Sequence, residues 1–483
     1  MPPPKYHVYS ALVVVLAACA SAGGLTYALA DDGQSPSQHP NARNRLWPAL
    51  PVVKAASSVR FVERQPAVVT TAAYQLDEPP APEPIPLGDT AQPAGITLEE
   101  LQAIALANNP TLAQAAARVD AARGRWLQAG LYPNPSVGYM ADEIGMAGRA
   151  GMQGFAISQE IVRGGKLGLQ RAAASQEIVQ AQQQLESQRL RVLNDVRTQF
   201  YNLLAAQRTM ELSGELVRLG EQGLKAADDL FRAQEVSRVD LLQARVELST
   251  ARVSAEVAGN RYVAIWRRVA ATVGAPDMQP QPAAGDLEAA LPELTWDESL
   301  ARVLAASPEL AAARADAARA TWALRRARAE PIPNLHVQAG VQHDNEGGDD
   351  VANLQIMLPL PIHNKNQGAI RAADAELRMA QAEVARLELQ LQTRLAAAFE
   401  RYANARRQVE RYSREILPDA RTSLELVTRG YRQGEFAYLP LLEAQRTVSR
   451  TNLAYLTALE QLWDNATAIE GLLLMDSLQM AGK

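Results

Sequence analysis

Histidine and glycine-rich positions are the places where this sequence could hold a metal ion or a phosphate group. His336 and His343 are seven residues apart, which puts them on opposite faces of a strand. They are therefore interpreted as polar surface groups and not as paired metal ligands. The Gly164-Gly165-Lys166 string lacks the glycine spacing of a phosphate-binding loop and is interpreted as a joint between a strand and a helix. Nucleophile-elbow and zinc-protease motifs are also missing, so the sequence predicts no catalytic residue, no cofactor and no metal site.

Cys19, the single cysteine, is the one residue for which the sequence predicts a covalent modification. It ends the string LAAC (residues 16–19), which resembles a lipobox, where the cysteine becomes a lipidated N-terminus. The preceding apolar run is typical of an export signal and is too short to cross a bilayer. Two alternatives stay open: cleavage after Ala30, and retention of the apolar run as an anchor. Each of the three would export the chain.

Composition predicts long helices. Aromatic residues make up only 5% of the chain, and Ala, Leu, Gln, Arg and Glu dominate after about residue 95. The net charge of −5 is mild, and acidic and basic residues are interleaved, so no nucleic-acid partner is predicted. We predict a signal region at residues 1–30 and a Pro-rich disordered linker at residues 31–94.

The rest of the sequence repeats itself with an offset of about 200 residues. TLEELQAIALANNP, from Thr97, corresponds to TWDESLARVLAASP, from Thr295, and both begin with a threonine suited to cap a helix. Pro133-Asn134 likewise corresponds to Pro333-Asn334. We predict a first repeat at residues 95–273, a connecting segment at 274–292, and a second repeat at 293–476.

Each repeat predicts a helix of about 35 residues, two short strands, a helix of about 65 residues, a break and a helix of about 35 residues. The strands alternate in polarity. Leu335, Val337, Ala339 and Val341 alternate with polar residues or glycine, and Ala352, Leu354, Ile356 and Leu358 form a second such run after the loop DNEGGDD. The first repeat contains a weaker equivalent. This alternation is typical of transmembrane β-barrels.

Four strands per chain are too few to close a barrel, because the smallest single-chain barrels use about eight. Two chains would supply eight strands around an interior filled by side chains, whereas three chains would supply twelve strands and leave room for a lumen, so the strand count favours a trimer if the protein conducts. The residues predict a mainly α fold with a small β part, four transmembrane strands per chain and an internal duplication.

The pattern resembles the TolC-like outer-membrane factor family over about residues 95 to 475. The duplicated helix–hairpin–helix plan carries the resemblance, with Asn109-Pro110, Ser307-Pro308, the PNP string at 133–135 and YRQGEFAYLPLLEAQR at 431–446. The last string is most similar to the cobalt-zinc-cadmium resistance type, which serves heavy-metal exporters of the resistance-nodulation-division class.

The resemblance implies a homotrimer with a shared twelve-stranded β-barrel in the lipid of the outer membrane and a long α-helical barrel that extends into the periplasm. It would act as a passive exit duct for small solutes or heavy-metal cations in a tripartite efflux pump. It also implies a resistance-nodulation-division pump and a membrane-fusion adaptor as partners. The adaptor would contact two hairpin tips, Gln234, Glu235, Val236, Ser237 and Gly434, Glu435, Phe436, Ala437. A periplasmic gate would involve Tyr431, Phe436 and Glu443.

Two other functions stay open from the sequence. The same duct could serve type I protein secretion with a different inner-membrane partner, because cargo is chosen by the pump. The helices alone would also fit a non-conducting periplasmic coiled-coil scaffold. A scaffold gives no reason for two pairs of two-faced strands about 200 residues apart. The efflux duct is therefore the favoured hypothesis.

Overall fold

The computed structural model describes residues 95–145, 150–288, 291–433, 435–436 and 438–478. Its first repeat contains α1 (Leu98–Asn108), α2 (Pro110–Ala129), β1 (Ser136–Asp142), β2 (Met152–Ile161), α3 (Lys166–Arg232) and α4 (Arg238–Thr272).

The second repeat has the same plan with one addition. It contains α5 (Trp296–Ala306), α6 (Pro308–Ala329), β3 (Leu335–Asp344), β4 (Asp350–Met357), α7 (Gln367–Arg411), a π-helical turn (Tyr412–Ile416), α8 (Leu417–Arg432) and α9 (Tyr438–Glu470). The described chain is thus mainly helical with a small sheet, as the sequence predicts.

The first predicted helix of each repeat was wrong in one respect, because it is two helices. Pro110 and Pro308 each start the second helix, since proline cannot donate the backbone hydrogen bond that would continue the first. Asn109 and Ser307 cap the new helices with their side chains. The two predicted threonine caps also differ. Thr97 forms a full capping box with Glu100, whereas the Thr295 hydroxyl donates to the Glu298 carboxylate instead.

In each repeat a long helical segment begins after the second strand and leads to the hairpin tip. α3 runs for 67 residues, which at a rise of about 1.5 Å per residue corresponds to about 100 Å. Gly164 and Gly165 precede it with positive φ, so the prediction that they form a strand-to-helix joint is confirmed. In the second repeat Asn366 takes the same left-handed conformation before α7.

The four strands form one antiparallel sheet in the order β1-β2-β3-β4. β1 and β2 form one hairpin and β3 and β4 the other, and β2 pairs with β3 over ten residues, from Met152–Asp344 to Ile161–Leu335. This central pairing joins the two repeats.

The largest hydrophobic cluster lies where the short helices, the connecting segment and the last part of α9 meet the long helices. Trp266 and Trp463 are almost fully buried and donate to backbone oxygens of that segment, on Met278 and Leu287. Tyr201 stacks on Trp463 with ring centroids 3.8 Å apart. These contacts fix the position of α4 and α9 against α3.

Several predicted features lie outside the described residues. These are Cys19 with the signal region 1–30, the linker at 31–94, and two tip residues, Gly434 and Ala437. Among the helices that the structure describes, none combines the length and the apolar character needed to cross a membrane.

Candidate functional site

The sheet has one apolar and one polar face. In the observed register, Val137, Ile157, Ala339 and Leu354 form a row across all four strands. Next to it, Tyr139 and Phe155 contact each other edge to face at 5.8 Å while remaining 60% and 67% exposed. Large apolar side chains this exposed indicate a face made for an apolar surrounding.

The opposite face carries amides and carboxylates. The Gln342 side chain, which is buried, donates to Asp142 at 2.7 Å and accepts from Asn353. Gln338 and Gln355 pair across β3 and β4 on the same face. The predicted alternation is therefore correct for both hairpins, and the register places both apolar sets on the same side.

A buried polar cluster lies where this face meets the start of α3. The side chain of Glu160 is only 7% exposed, and one of its oxygens accepts from Asn334 at 2.8 Å. Asn334 in turn accepts from the Lys166 ammonium at 3.1 Å. His336, opposite Glu160 in the register, places Nε2 3.7 Å from the Glu160 carboxylate. Asn334 belongs to the repeated Pro-Asn motif, whose role here is to connect Lys166 with Glu160.

The first hairpin tip joins α3 to α4 in five residues. Gln234 adopts φ 61°, and the amide of Glu235 donates to the carbonyl of Leu230 at 2.9 Å, closing the end of α3. Ser237 then caps α4: its hydroxyl accepts from the Asp240 amide, and the Asp240 carboxylate accepts from the Ser237 amide at 3.0 Å. The tip therefore turns without a glycine.

The second tip repeats this closure with different side chains. The amide of Glu435 donates to the carbonyl of Gly430 at 2.9 Å, as Glu235 does to Leu230. The ring of Phe436 lies against Gly430 so closely that a Cβ there would be 2.4 Å from the ring. Phe436, a predicted gate residue, thus packs on its own hairpin and remains 45% exposed.

Tyr431, the second predicted gate residue, is half-buried on α8. Burial raises the pKa of its hydroxyl above the usual range, and the negative charge of Asp240 raises that pKa further. Tyr431 is on α8 and Asp240 is on α4, so this electrostatic interaction acts between the second hairpin and the capping box of the first. Sequence reasoning missed Asp240, although the Ser237-x-x-Asp240 capping signature was available.

Two ion pairs link the hairpins farther from the tips. Arg446 of α9 donates to Glu247 of α4 at 2.6 and 3.0 Å, and Arg261 of α4 contacts both oxygens of Glu460 of α9 at 2.6 and 2.7 Å. Glu443, the third predicted gate residue, is exposed on α9 one turn from Arg446. Of the three predicted gate residues, Tyr431 is thus near Asp240 of the first hairpin, Phe436 packs within the second hairpin, and Glu443 is exposed.

The remaining predicted tip residues are at the surface. Gln234, Glu235, Ser237 and Glu435 are exposed, and Val236 is half-buried. The part of the chain that the structure describes contains no group of three or more His, Cys, Asp or Glu side chains suited to hold a metal ion.

Known proteins share this fold. CusC, whose structures concern folding and transmembrane channel formation, aligns with a TM-score of 0.66 at 17% identity, over 84% of this chain and 99% of its own. The open MtrE outer membrane channel of Neisseria gonorrhoeae aligns with a TM-score of 0.66 at 19% identity, over 79% of this chain and 89% of its own.

Sequence comparison agrees with the fold. The cobalt-zinc-cadmium resistance protein CzcC of Cupriavidus metallidurans is 29% identical over 378 residues, which cover 78% of this chain and 90% of CzcC. The model of the outer membrane efflux protein family matches residues 101–275 and 300–473. Because these two segments make up more than half of the sequence and coincide with its two repeats, the chain belongs to the outer membrane efflux protein family, whose members are channel proteins.

Proposed function

We propose that three copies of this chain form an outer-membrane efflux channel. The observation that carries the proposal is the four-stranded sheet, with one apolar and one polar face, whose edges are β1 and β4. Unpaired strand edges cannot face lipid, so β1 of one copy must pair with β4 of the next until the sheet closes. Three copies supply twelve strands, with apolar residues toward lipid and polar residues toward a lumen.

The cargo we propose is heavy-metal cations. The relative CzcC is a cobalt-zinc-cadmium resistance protein, and the alignment covers most of both chains. The channel would be a passive duct, with energy supplied by an inner-membrane pump of the resistance-nodulation-division class. A periplasmic adaptor of the membrane-fusion type would contact the hairpin tips, where side chains such as Glu235 and Glu435 are exposed.

We assign the closed state of the periplasmic end to the contacts between hairpins. Tyr431 and Asp240 are nearest to the tips, and the ion pair of Arg446 with Glu247 comes next. Glu443 is exposed near this pair, and a ring of three such carboxylates would attract cations. Opening would then require the second hairpin to move away from the first.

The first test is planar-bilayer conductance of the detergent-purified protein, with its mass measured in the same detergent. We expect stable trimers that give small, cation-selective openings. A soluble helical rod without conductance would refute the channel and support the scaffold alternative.

The gate has its own test. Tyr431→Ala and Asp240→Asn should each raise single-channel conductance or open probability, because each replaces one member of the pair that interacts electrostatically across the hairpins near the tips. Glu443→Gln should lower cation selectivity. Conductance equal to wild type in both Tyr431→Ala and Asp240→Asn would contradict the gate assignment and leave the channel itself intact.

The cargo is tested in cells that lack the gene. Restoring the wild-type chain should restore growth in Zn²⁺ or Co²⁺, provided that the cognate pump and adaptor are present. Restored export of a secreted protein, without restored metal tolerance, would instead favour type I secretion.

A further inference from the structure

Glu160 is a buried carboxylate with an incomplete set of partners. Its oxygen Oε1 accepts from Asn334, whereas Oε2 is buried and has no hydrogen-bond partner among the described residues. Buried charges are costly unless a cation or hydrogen bonds compensate them, so an orphaned carboxylate oxygen requires an explanation such as a bound ion.

The lysine of this cluster is already engaged by other partners. The ammonium of Lys166 donates to Asn334 at 3.1 Å and lies 3.5 Å from the carboxylate of Glu330. The Asn334 amide fixes the orientation of Glu160 without neutralising it. One acidic charge of this cluster therefore remains available to a cation.

His336 supplies a second ligand atom. Its Nε2 is 3.7 Å from Glu160 Oε1, which is too long for a hydrogen bond. Two ligand atoms on one tetrahedral Zn²⁺, each at about 2.0–2.1 Å, lie about 3.3 Å apart. A shift of a few tenths of an ångström would let the imidazole and the carboxylate contact the same ion, and a carboxylate that binds through both oxygens would also give Oε2 a partner. The imidazole is 37% exposed, so an ion can reach it from the polar face.

We propose that Glu160 and His336 bind a divalent transition-metal cation on the polar face of the sheet, at its junction with α3. A carboxylate together with an imidazole suits Zn²⁺ or Co²⁺ better than Mg²⁺ or Ca²⁺. Water would complete the coordination shell. The inference rests on the proposed function, because it makes this face the lumen and the cation its cargo.

A site with only two protein ligands would bind a metal ion weakly, and weak binding is what conduction requires. An ion in a duct must bind well enough to enter and weakly enough to leave. The site would bind the cargo transiently as it passes from the helical tunnel to the β-barrel. The proposal also revises the interpretation of His336 as only a polar surface group. That interpretation tested His343 as the second metal ligand, whereas the structure places Glu160 next to His336.

The experiment is a metal titration of the full-length trimer in detergent, without a polyhistidine tag. Zn²⁺ binding is measured by calorimetry, and Co²⁺ binding by its visible absorption, which reports imidazole coordination. Glu160→Gln and His336→Ala should each raise the dissociation constant about tenfold or more, since even loss of a supporting residue commonly costs ten- to a hundredfold. Glu160→Gln keeps the acceptor for Asn334, so it preserves the local fold.

His343→Ala is the matched control. His343 is on the same strand and contacts a carboxylate, Asp350, but that pair is already hydrogen-bonded at 3.0 Å and both side chains are more than half exposed. We expect its dissociation constant to stay within about twofold of wild type, because the proposed ligands are unchanged.

Three results would overturn the site: no Co²⁺ absorption change in intact trimers, unchanged binding in His336→Ala, or an equal loss in His343→Ala. The first two would show that Glu160 and His336 do not bind a metal ion together. If wild-type trimers still conduct, these results refute the metal site and leave the channel proposal intact. If the protein does not form conducting trimers, the channel proposal fails, whether or not Glu160 and His336 bind a metal ion.

Discussion

The two helical hairpins have almost the same length but differ in continuity. α3 is one helix of 67 residues, whereas its counterpart consists of α7 with 45 residues, a π-helical turn of five and α8 with 16. The amide of Leu417 donates to the carbonyl of Tyr412, and Pro418, which has no amide hydrogen, follows immediately. The π turn thus sits where proline interrupts the α-helical ladder.

The tips differ in a compensating way. Leu230 and Val236 occupy the first tip, where the second tip has Gly430 and Phe436. In the first tip the larger residue, Leu230, is on the helix and the smaller Val236 is on the loop. In the second tip the small Gly430 is on the helix and the large Phe436 is on the loop. The two hairpins therefore share helix length and tip closure, whereas among the described helices the π turn occurs in the second hairpin alone. Four predictions test this comparison.

The largest effect is expected from copying the proline into the first hairpin. Arg218, which corresponds to Pro418, is exposed in the last third of α3. Arg218→Pro removes a backbone hydrogen bond and should destabilise the protein by about 3 kcal/mol or more. Circular dichroism during thermal unfolding, together with trimer yield, measures the loss. Arg218→Ala should match wild type within about 0.5 kcal/mol, and equal behaviour of the two variants would mean that α3 tolerates bending.

The second prediction concerns tip packing. Gly430→Ala puts a methyl group 2.4 Å from the Phe436 ring and should displace that ring, with a cost of about 1–3 kcal/mol. Tryptic cleavage at the second tip should become faster. Gly430→Leu with Phe436→Val copies the first tip and should restore the wild-type rate. If the double variant is cleaved as fast as Gly430→Ala, the two tips are not interchangeable.

The third prediction concerns the seam between the hairpins, where Asp464 of α9 lies near Asn202 and Arg261. Burial, and then the charge of Glu460, raise the pKa of Asp464 from 3.8 to about 7. The folded protein therefore keeps a proton that the unfolded chain releases, so stability falls as pH rises from about 4 to about 7. The loss of stability caused by ionising Asp464 is fully present above pH 7.

Asp464→Asn removes that cost. Its melting temperature should exceed that of wild type by about 2 °C or more at pH 8 and should match wild type at pH 5. Asp419→Asn, at an exposed position of α8, should change neither value. A gain that is equal at both pH values would show that Asp464 does not titrate in this range.

The smallest effect is expected at the ion pair of Arg446 and Glu247, whose side chains are 46% and 28% exposed. A double-mutant cycle should give about 0.2–1 kcal/mol, decreasing with salt. Open probability should nevertheless rise, because this pair joins the two hairpins. The Arg252–Glu221 pair lies within the first hairpin, so its removal should leave open probability unchanged. Equal effects of both pairs would argue against a moving second hairpin.

Much of this architecture was predictable from local pattern. Apolar periodicity predicted the helices, and strict alternation predicted two-faced strands in which Phe155 and Leu354 are indeed exposed. The offset of about 200 residues predicted the duplication. The π turn escaped prediction because Pro418 by itself indicates a kink or an end, and the sequence does not say which.

The sequence by itself determined where helices and strands form and which face of each strand is apolar, since these depend on residues within a few positions of one another. Only the tertiary structure decided that β2 pairs with β3, that Tyr431 lies near Asp240, and that Glu160 is buried beside His336. Each of these pairs residues that are more than 170 positions apart. Such contacts depend on how the complete elements pack, because burial and electrostatic coupling arise only when distant segments exclude water together.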